Sequence, residues 1–126
     1  MGIERVLASS LLAFCGLVDA ADVGSYLKAI EARNSKDAAT ADYARGVVSV
    51  MHQTMSDTMM FMNHQARENG TPIFCLPKDY ALSGSTVEDI LFSTIKTAQR
   101  NGDKGVLDRP VAVYVVLGMM KSFPCK

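Results

Sequence analysis

Three residue types in this chain could do chemistry: cysteines at 15, 75 and 125, histidines at 52 and 64, and eight methionines. Five of those methionines share one stretch with both histidines, "MHQTMSDTMMFMNH", Met51 to His64. Soft thioethers with imidazole are a ligand set for Cu(I), so a metal reading has to be tested first. At about 100° per residue, Met51, Met55 and Met62 fall in a narrow arc of a helix, with Met59 at its edge. Ala44, Val47 and Val48 extend that stripe upstream and Ala66 extends it downstream, while Tyr43, Val50 and Phe61 flank it. Thr58 interrupts it, a hydroxyl that can bond back to its own helix. Arg45, Ser49, Gln53, Ser56, Asp57, Asn63 and Arg67 form the opposite half, with His64 and the stray Met60 among them. His52 lies near the boundary, beside Met59. An apolar stripe that exchanges valine for methionine halfway reads as core, or as core continuous with a subunit interface. Neither a metal nor another cofactor is expected.

The cysteines pose a different question, because the chain ends "SFPCK", with Cys125 one position from the terminus. Residues 1–20, "MGIERVLASSLLAFCGLVDA", read as an export signal: Arg5 near the amino end, an uncharged stretch from Val6 to Val18, and cleavage after Ala20. The competing reading is an N-terminal core helix. Thirteen mostly apolar residues are too few to span a bilayer as a helix, which takes about twenty. Cleavage removes Cys15 and leaves Cys75 and Cys125, an even pair in an oxidising compartment. The expectation is that they bond to each other; the alternative is two unpaired buried thiols.

No catalytic constellation is apparent. The serines lack a nucleophile elbow, the histidines are twelve residues apart and point differently, and no glycine-rich phosphate loop is present. The chain is expected not to be an enzyme. With thirteen basic and thirteen acidic residues and no long run of like charge, it carries no nucleic-acid footprint and no polybasic membrane patch.

Four helices follow from the pattern. Val23, Tyr26, Leu27 and Ile30 mark the first, over about 23–33. The longest runs over about 38–67 and is stopped by Gly70 and Pro72. Ser85-Thr86-Val87-Glu88 has the form of a capping box opening a third helix, with Val87, Ile90, Leu91, Thr94, Ile95 and Ala98 as its stripe. Asp108 as N-cap and Pro110 in the first turn start a fourth, ending near Ser122. Its "VAVYVVLGMM" also suits a buried strand, but the chain offers no second strand to pair with it. Lacking a polar side, that helix must be central or buried between subunits. Phe92, about 120° from the centre of the third stripe, and the loop tip Asp103-Lys104 between two glycines are candidate partner contacts. The plainer readings are a lone surface aromatic and a solvated turn.

Taken together, Tyr43 and Gly46 on the long helix, Phe74, Cys75 and Pro77 in "FCLP", and the closing Phe123-Pro124-Cys125 resemble the Tai/Rap family of type VI secretion immunity proteins. The resemblance covers roughly residues 25–126. It implies a small exported periplasmic protein that neutralises a peptidoglycan amidase effector. Two departures stand out. The family's second cysteine pair is absent from 27–33 and from 38–42, and its histidine- and proline-bearing turn is replaced by "RNGDKGVLDRP". The expectation is therefore an all-α bundle of about four helices with one disulfide, forming a homodimer that occludes the amidase cleft without chemistry of its own. A helical periplasmic chaperone or structural protein without a dedicated toxin is the alternative.

Overall fold

A computed structural model describes residues 21–126. The expected export signal, residues 1–20 with Cys15, lies outside the described residues. The architecture is all-α: α1 (Val23–Ala32), α2 (Ala38–Glu68), α3 (Gly84–Arg100), a 3-10 turn (Val106–Asp108) and α4 (Val111–Ser122). The segment that also suited a buried strand, α4, is a helix.

Local chemistry sets the helix ends. Asp22 accepts from the Ser25 N–H at 2.6 Å to cap α1, and Asp37 accepts from the Thr40 N–H at 2.8 Å to cap α2. Both carboxyls are held below the ordinary aspartate range, Asp22 by the Ser25 backbone and Asp37 by Thr40. Helices α2 and α3 each end in a left-handed glycine, Gly70 at φ 77° and Gly102 at φ 81°. The next residue's N–H turns back to the helix in both cases, Thr71 to the Ala66 carbonyl and Asp103 to the Ala98 carbonyl. This is the Schellman closure, and it places glycine where a side chain would be strained.

Two capping expectations are corrected. Ser83, not Ser85, caps α3, accepting from the Thr86 N–H at 3.2 Å. Glu88 does not reach back to a cap; it is engaged by Arg33 across the helix pair. Asp108 belongs to the 3-10 turn, and Pro110 itself occupies the cap position of α4, with no side-chain cap. The work of a cap is done by another part of the chain: the Val111 N–H donates to the Ala21 carbonyl at 2.9 Å, and the Val23 N–H to the Arg109 carbonyl at 3.0 Å. A two-residue antiparallel pairing thus ties the start of α1 to the start of α4.

Helix α3 packs between α2 and α4, and α1 covers α2 and the 3-10 turn. The core joins Val23 and Tyr26 from α1, Val48 and Met59 from α2, Phe74 from the loop, Leu91 and Ile95 from α3, Val106 from the turn, and Tyr114 and Met119 from α4.

The buried face of α2 is not the expected methionine stripe. It runs Ala41, Ala44, Val48, His52, Ser56, Met59 and Asn63, so three residues assigned to the polar half or its edge are inside. Met51 and Met55 pack at its margin, and Met62 and Thr58 are exposed. The polar residues are inside because each has a partner. The Ser56 hydroxyl donates to the Leu82 carbonyl at 3.0 Å, and Asn63 Oδ1 accepts from the Ile73 and Phe74 N–H groups at 2.8 and 3.0 Å. Asn63 therefore holds the loop that carries Cys75. Replacing Asn63 with alanine orphans two backbone donors, one of them buried, and is expected to cost about 2–3 kcal/mol in urea unfolding.

Candidate partner-binding site

The stapled end of the molecule is built from two segments. Cys75 and Cys125 are disulfide-bonded, closing a separation of 50 residues. The Cys75 N–H donates to the Phe123 carbonyl at 2.8 Å, and the Tyr80 and Phe123 rings meet in a tilted contact with centroids 5.3 Å apart. Phe74 has no exposed surface, so it anchors the "FCLP" loop in the core while Pro77 and Pro124 remain outside. The structure thus brings together Phe74, Cys75, Pro77, Phe123, Pro124 and Cys125 as one unit. Tyr43 and Gly46 are not part of it. They lie on the outward face of α2, where Tyr43 is 77% exposed and nothing lies within 4 Å of a Cβ placed on Gly46.

The other candidate contacts fare unevenly. Phe92 is not a free surface aromatic: it is half-buried against the core, its ring centroid 6.3 Å from that of Tyr26, with the Lys96 ammonium above it at 6.0 Å. The spacing rule failed because the Tyr26 side chain from α1 reaches that side of α3. Asp103 is held within its own loop, accepting from the Gly105 N–H at 3.1 Å and from the Arg109 guanidinium. Arg109 in turn reaches the Tyr114 hydroxyl, which, with Asp103 as the next influence, raises its own pKa further. Asp103 therefore shapes the tip, and the exposed Lys104 is the side chain presented by it.

Sequence reasoning missed a polar chain at the junction of α1, α2 and α3. The Tyr26 hydroxyl and His52 Nε2 are 2.8 Å apart, His52 Nδ1 is 3.3 Å from Glu88 Oε2, and Arg33 grips both Glu88 oxygens at 2.6 and 3.2 Å. A carboxylate only accepts, so Nδ1 carries the imidazole proton and Nε2 accepts from Tyr26. Burial, with the Glu88 charge second, raises the Tyr26 pKa well beyond its ordinary value. Hydroxyl, imidazole and carboxylate in series have the outline of a catalytic relay. Tyr26 has no exposed surface, however, so a substrate could not reach its oxygen. The chain ties three helices together.

Burial lowers the His52 pKa, against a weaker opposing pull from Glu88. The unfolded chain then binds a proton at a higher pH than the folded one. Stability is expected to fall as pH drops below about 6.5, the ordinary histidine value, until the folded His52 also protonates. Urea unfolding between pH 7.5 and 5 measures this, and a His52→Gln variant should have a flatter profile over the same range.

Helix α4 leaves a second apolar stripe outward. Val113, Leu117 and Met120 are each between 41% and 51% exposed, beside a groove between α3 and α4 lined by Ser93, Thr97, Leu117 and Lys121. Within one copy of the chain the helix is central on one side only, with Tyr114, Val115 and Met119 inside and Val113, Leu117 and Met120 outside. Among the described residues, no helix is long and apolar enough to cross a membrane.

No protein-family profile, no curated protein and no solved structure matches this chain. The immunity-protein resemblance accordingly rests on the motif residues themselves.

Proposed function

We propose that this protein is an exported immunity protein that acts in the periplasm, where it binds and occludes a peptidoglycan amidase effector of a type VI secretion system. The observation that carries the reading is the Cys75–Cys125 bond. It joins the two most specific pieces of the resemblance, Phe74-Cys75-Leu76-Pro77 and Phe123-Pro124-Cys125, into one unit. A disulfide also fits an oxidising compartment. The protein acts by steric plugging as a homodimer and supplies no catalytic group. The Gly102–Gly105 loop, braced by the bonds of Asp103 to the Gly105 N–H and Arg109, presents the exposed Lys104 to a cleft.

A periplasmic rescue assay tests this. The product of the adjacent gene is exported in a susceptible host with and without this protein, and lysis is followed. Rescue with co-elution of the pair supports immunity; lysis that goes unrelieved removes the reading for that partner. Within a confirmed pair, alanine at both Asp103 and Lys104 should weaken binding, and unchanged affinity would exclude the loop.

One observation favours a second reading, a helical envelope chaperone or structural protein. Two outward stripes, on α2 and α4, expose methionine and branched or aromatic side chains, as adaptable contact surfaces do. That reading requires binding to many unfolded clients and to no amidase in particular.

A further inference from the structure

Of the buried polar side chains on α2, His52, Ser56 and Asn63, only Asn63 is half used. His52 has a partner at each ring nitrogen, and the Ser56 hydroxyl donates to Leu82. Asn63 engages only its oxygen, which accepts from the Ile73 and Phe74 N–H groups. Because both of those groups are donors, the oxygen must face them, and the side-chain NH2 faces the other way. That NH2 has no hydrogen-bond partner among the described residues, yet it is not sealed from solvent. Asn63 is only 5% exposed, and the space it opens to is a pocket of about 350 Å³. A polar group at such depth without a partner calls for an explanation, and a ligand in the pocket supplies one.

Two parts of the chain build the walls. Met60, Asn63, His64 and Arg67 stand at i, i+3, i+4 and i+7, one face of the end of α2. Leu76, Pro77 and Lys78 line the pocket from the loop. That loop is fixed before any ligand arrives: Asn63 holds its start, Phe74 anchors it in the core, and the disulfide pins Cys75. Arg67 and Lys78 are exposed and make no ion pair among the described residues. Guanidinium, ammonium and amide NH2 are all donors, so the group that suits them accepts only and carries negative charge. A carboxylate does both. Met60, Leu76 and Pro77 add apolar surface for a group beside it. At the end of a peptide chain the carboxylate and the last side chain hang from the same carbon, so one residue can use both kinds of wall.

We propose that this pocket binds the C-terminal carboxylate of a peptide chain ending in an apolar residue. The Asn63 NH2, Arg67 and Lys78 donate to the carboxylate, and Met60, Leu76 and Pro77 receive the side chain. The proposal goes beyond the immunity reading and does not depend on it. Asp79, which also lines the pocket, is the acidic side chain that opposes such a ligand. It sits at φ 64°, a conformation that asparagine adopts as readily as aspartate, so its charge can be removed without straining the loop.

The probe is acetyl-Ala-Ala-Leu with a free carboxylate, titrated to about 10 mM into the oxidised, isotope-labelled protein near neutral pH. Nuclear magnetic resonance follows the Asn63 side-chain NH2 and the backbone amides of residues 76–79. Both sets of signals are expected to shift together, with a dissociation constant of about 0.1–1 mM. The same peptide with an amidated C-terminus should bind at least about tenfold more weakly. Arg67→Gln, at an exposed position, should weaken the free acid about fivefold or more, and Asp79→Asn should tighten it about twofold to fivefold. Asn63→Asp keeps an acceptor for the Ile73 and Phe74 N–H groups but replaces the NH2 with a second acceptor, so binding should be lost while helix content is kept. Arg67→Gln decides the matter alone if that variant does not fold. The proposal is overturned by an Asn63 NH2 that does not shift, by equal binding of the amidated peptide, or by an Arg67→Gln variant of unchanged affinity. Tighter binding of a peptide whose only carboxylate is an internal glutamate would also overturn it.

Discussion

Removing both cysteines, as Cys75→Ser with Cys125→Ser, is expected to destabilise the protein by about 4 kcal/mol relative to the oxidised chain. The bond closes a loop with a separation of 50 residues, and the chain-entropy argument converts that length into this value at 25 °C. What remains at the site is modest: the Cys75–Phe123 backbone bond and the tilted contact of the Phe123 and Tyr80 rings. Neither constrains the unfolded ensemble, which is where the disulfide exerts most of its effect in that account. Domains of this size have about 5–15 kcal/mol in total, so the loss takes a large share of it. Urea unfolding of the double variant and of wild type in excess reductant should give nearly the same midpoint, well below that of oxidised wild type. A loss under about 1 kcal/mol would mean that the C-terminal residues are held by local contacts and that the bond is incidental to stability.

The parts of the fold legible in the sequence are those specified by neighbours in the chain. Asp37 three residues before Thr40 and Gly70 before Pro72 set the two ends of α2, and both were read to within a residue. The disulfide was legible because cleavage of the expected signal leaves only one possible pair. What was not legible depends on partners far away in sequence. His52 and Ser56 are inside because Tyr26 and Leu82, each 26 positions distant, accept or donate there. Periodicity alone assigns such residues to the solvent side, which rotated the inferred face of α2 toward the methionines. Glu88 satisfied a local capping template, yet Arg33, 55 residues earlier, engages it. The outer face of α2 was flagged only as a flank of the core; it needed the exposures of Tyr43, Val50 and Phe61 to become a surface in its own right.

Gly118 and Gly46 should respond to the same substitution with opposite sign. A Cβ placed on Gly118 would lie 2.5 Å from Ile90 Cγ2 and 2.5 Å from Thr94 Oγ1. Neither atom is the free end of a flexible chain: Ile90 is β-branched, and the Thr94 hydroxyl is committed to the Ile90 carbonyl at 2.7 Å. Relief therefore requires α3 and α4 to move apart, and these helices share the most extensive packing in the molecule. Overpacking of this kind costs about 1–3 kcal/mol, from which alanine recovers up to about 1 kcal/mol of helix propensity. Gly118→Ala should lose about 1–2 kcal/mol, and Gly118→Leu about 3 kcal/mol or more, lowering Tm by at least about 10 °C. Gly46 is helical with nothing near its Cβ direction, so Gly46→Ala should gain about 1 kcal/mol when measured at dilutions that keep the chain monomeric. A neutral Gly118→Ala would show that the α3–α4 contact can open by several tenths of an ångström without cost. In that event the groove beside Leu117, and not only the outward faces, would be a surface able to yield to a partner.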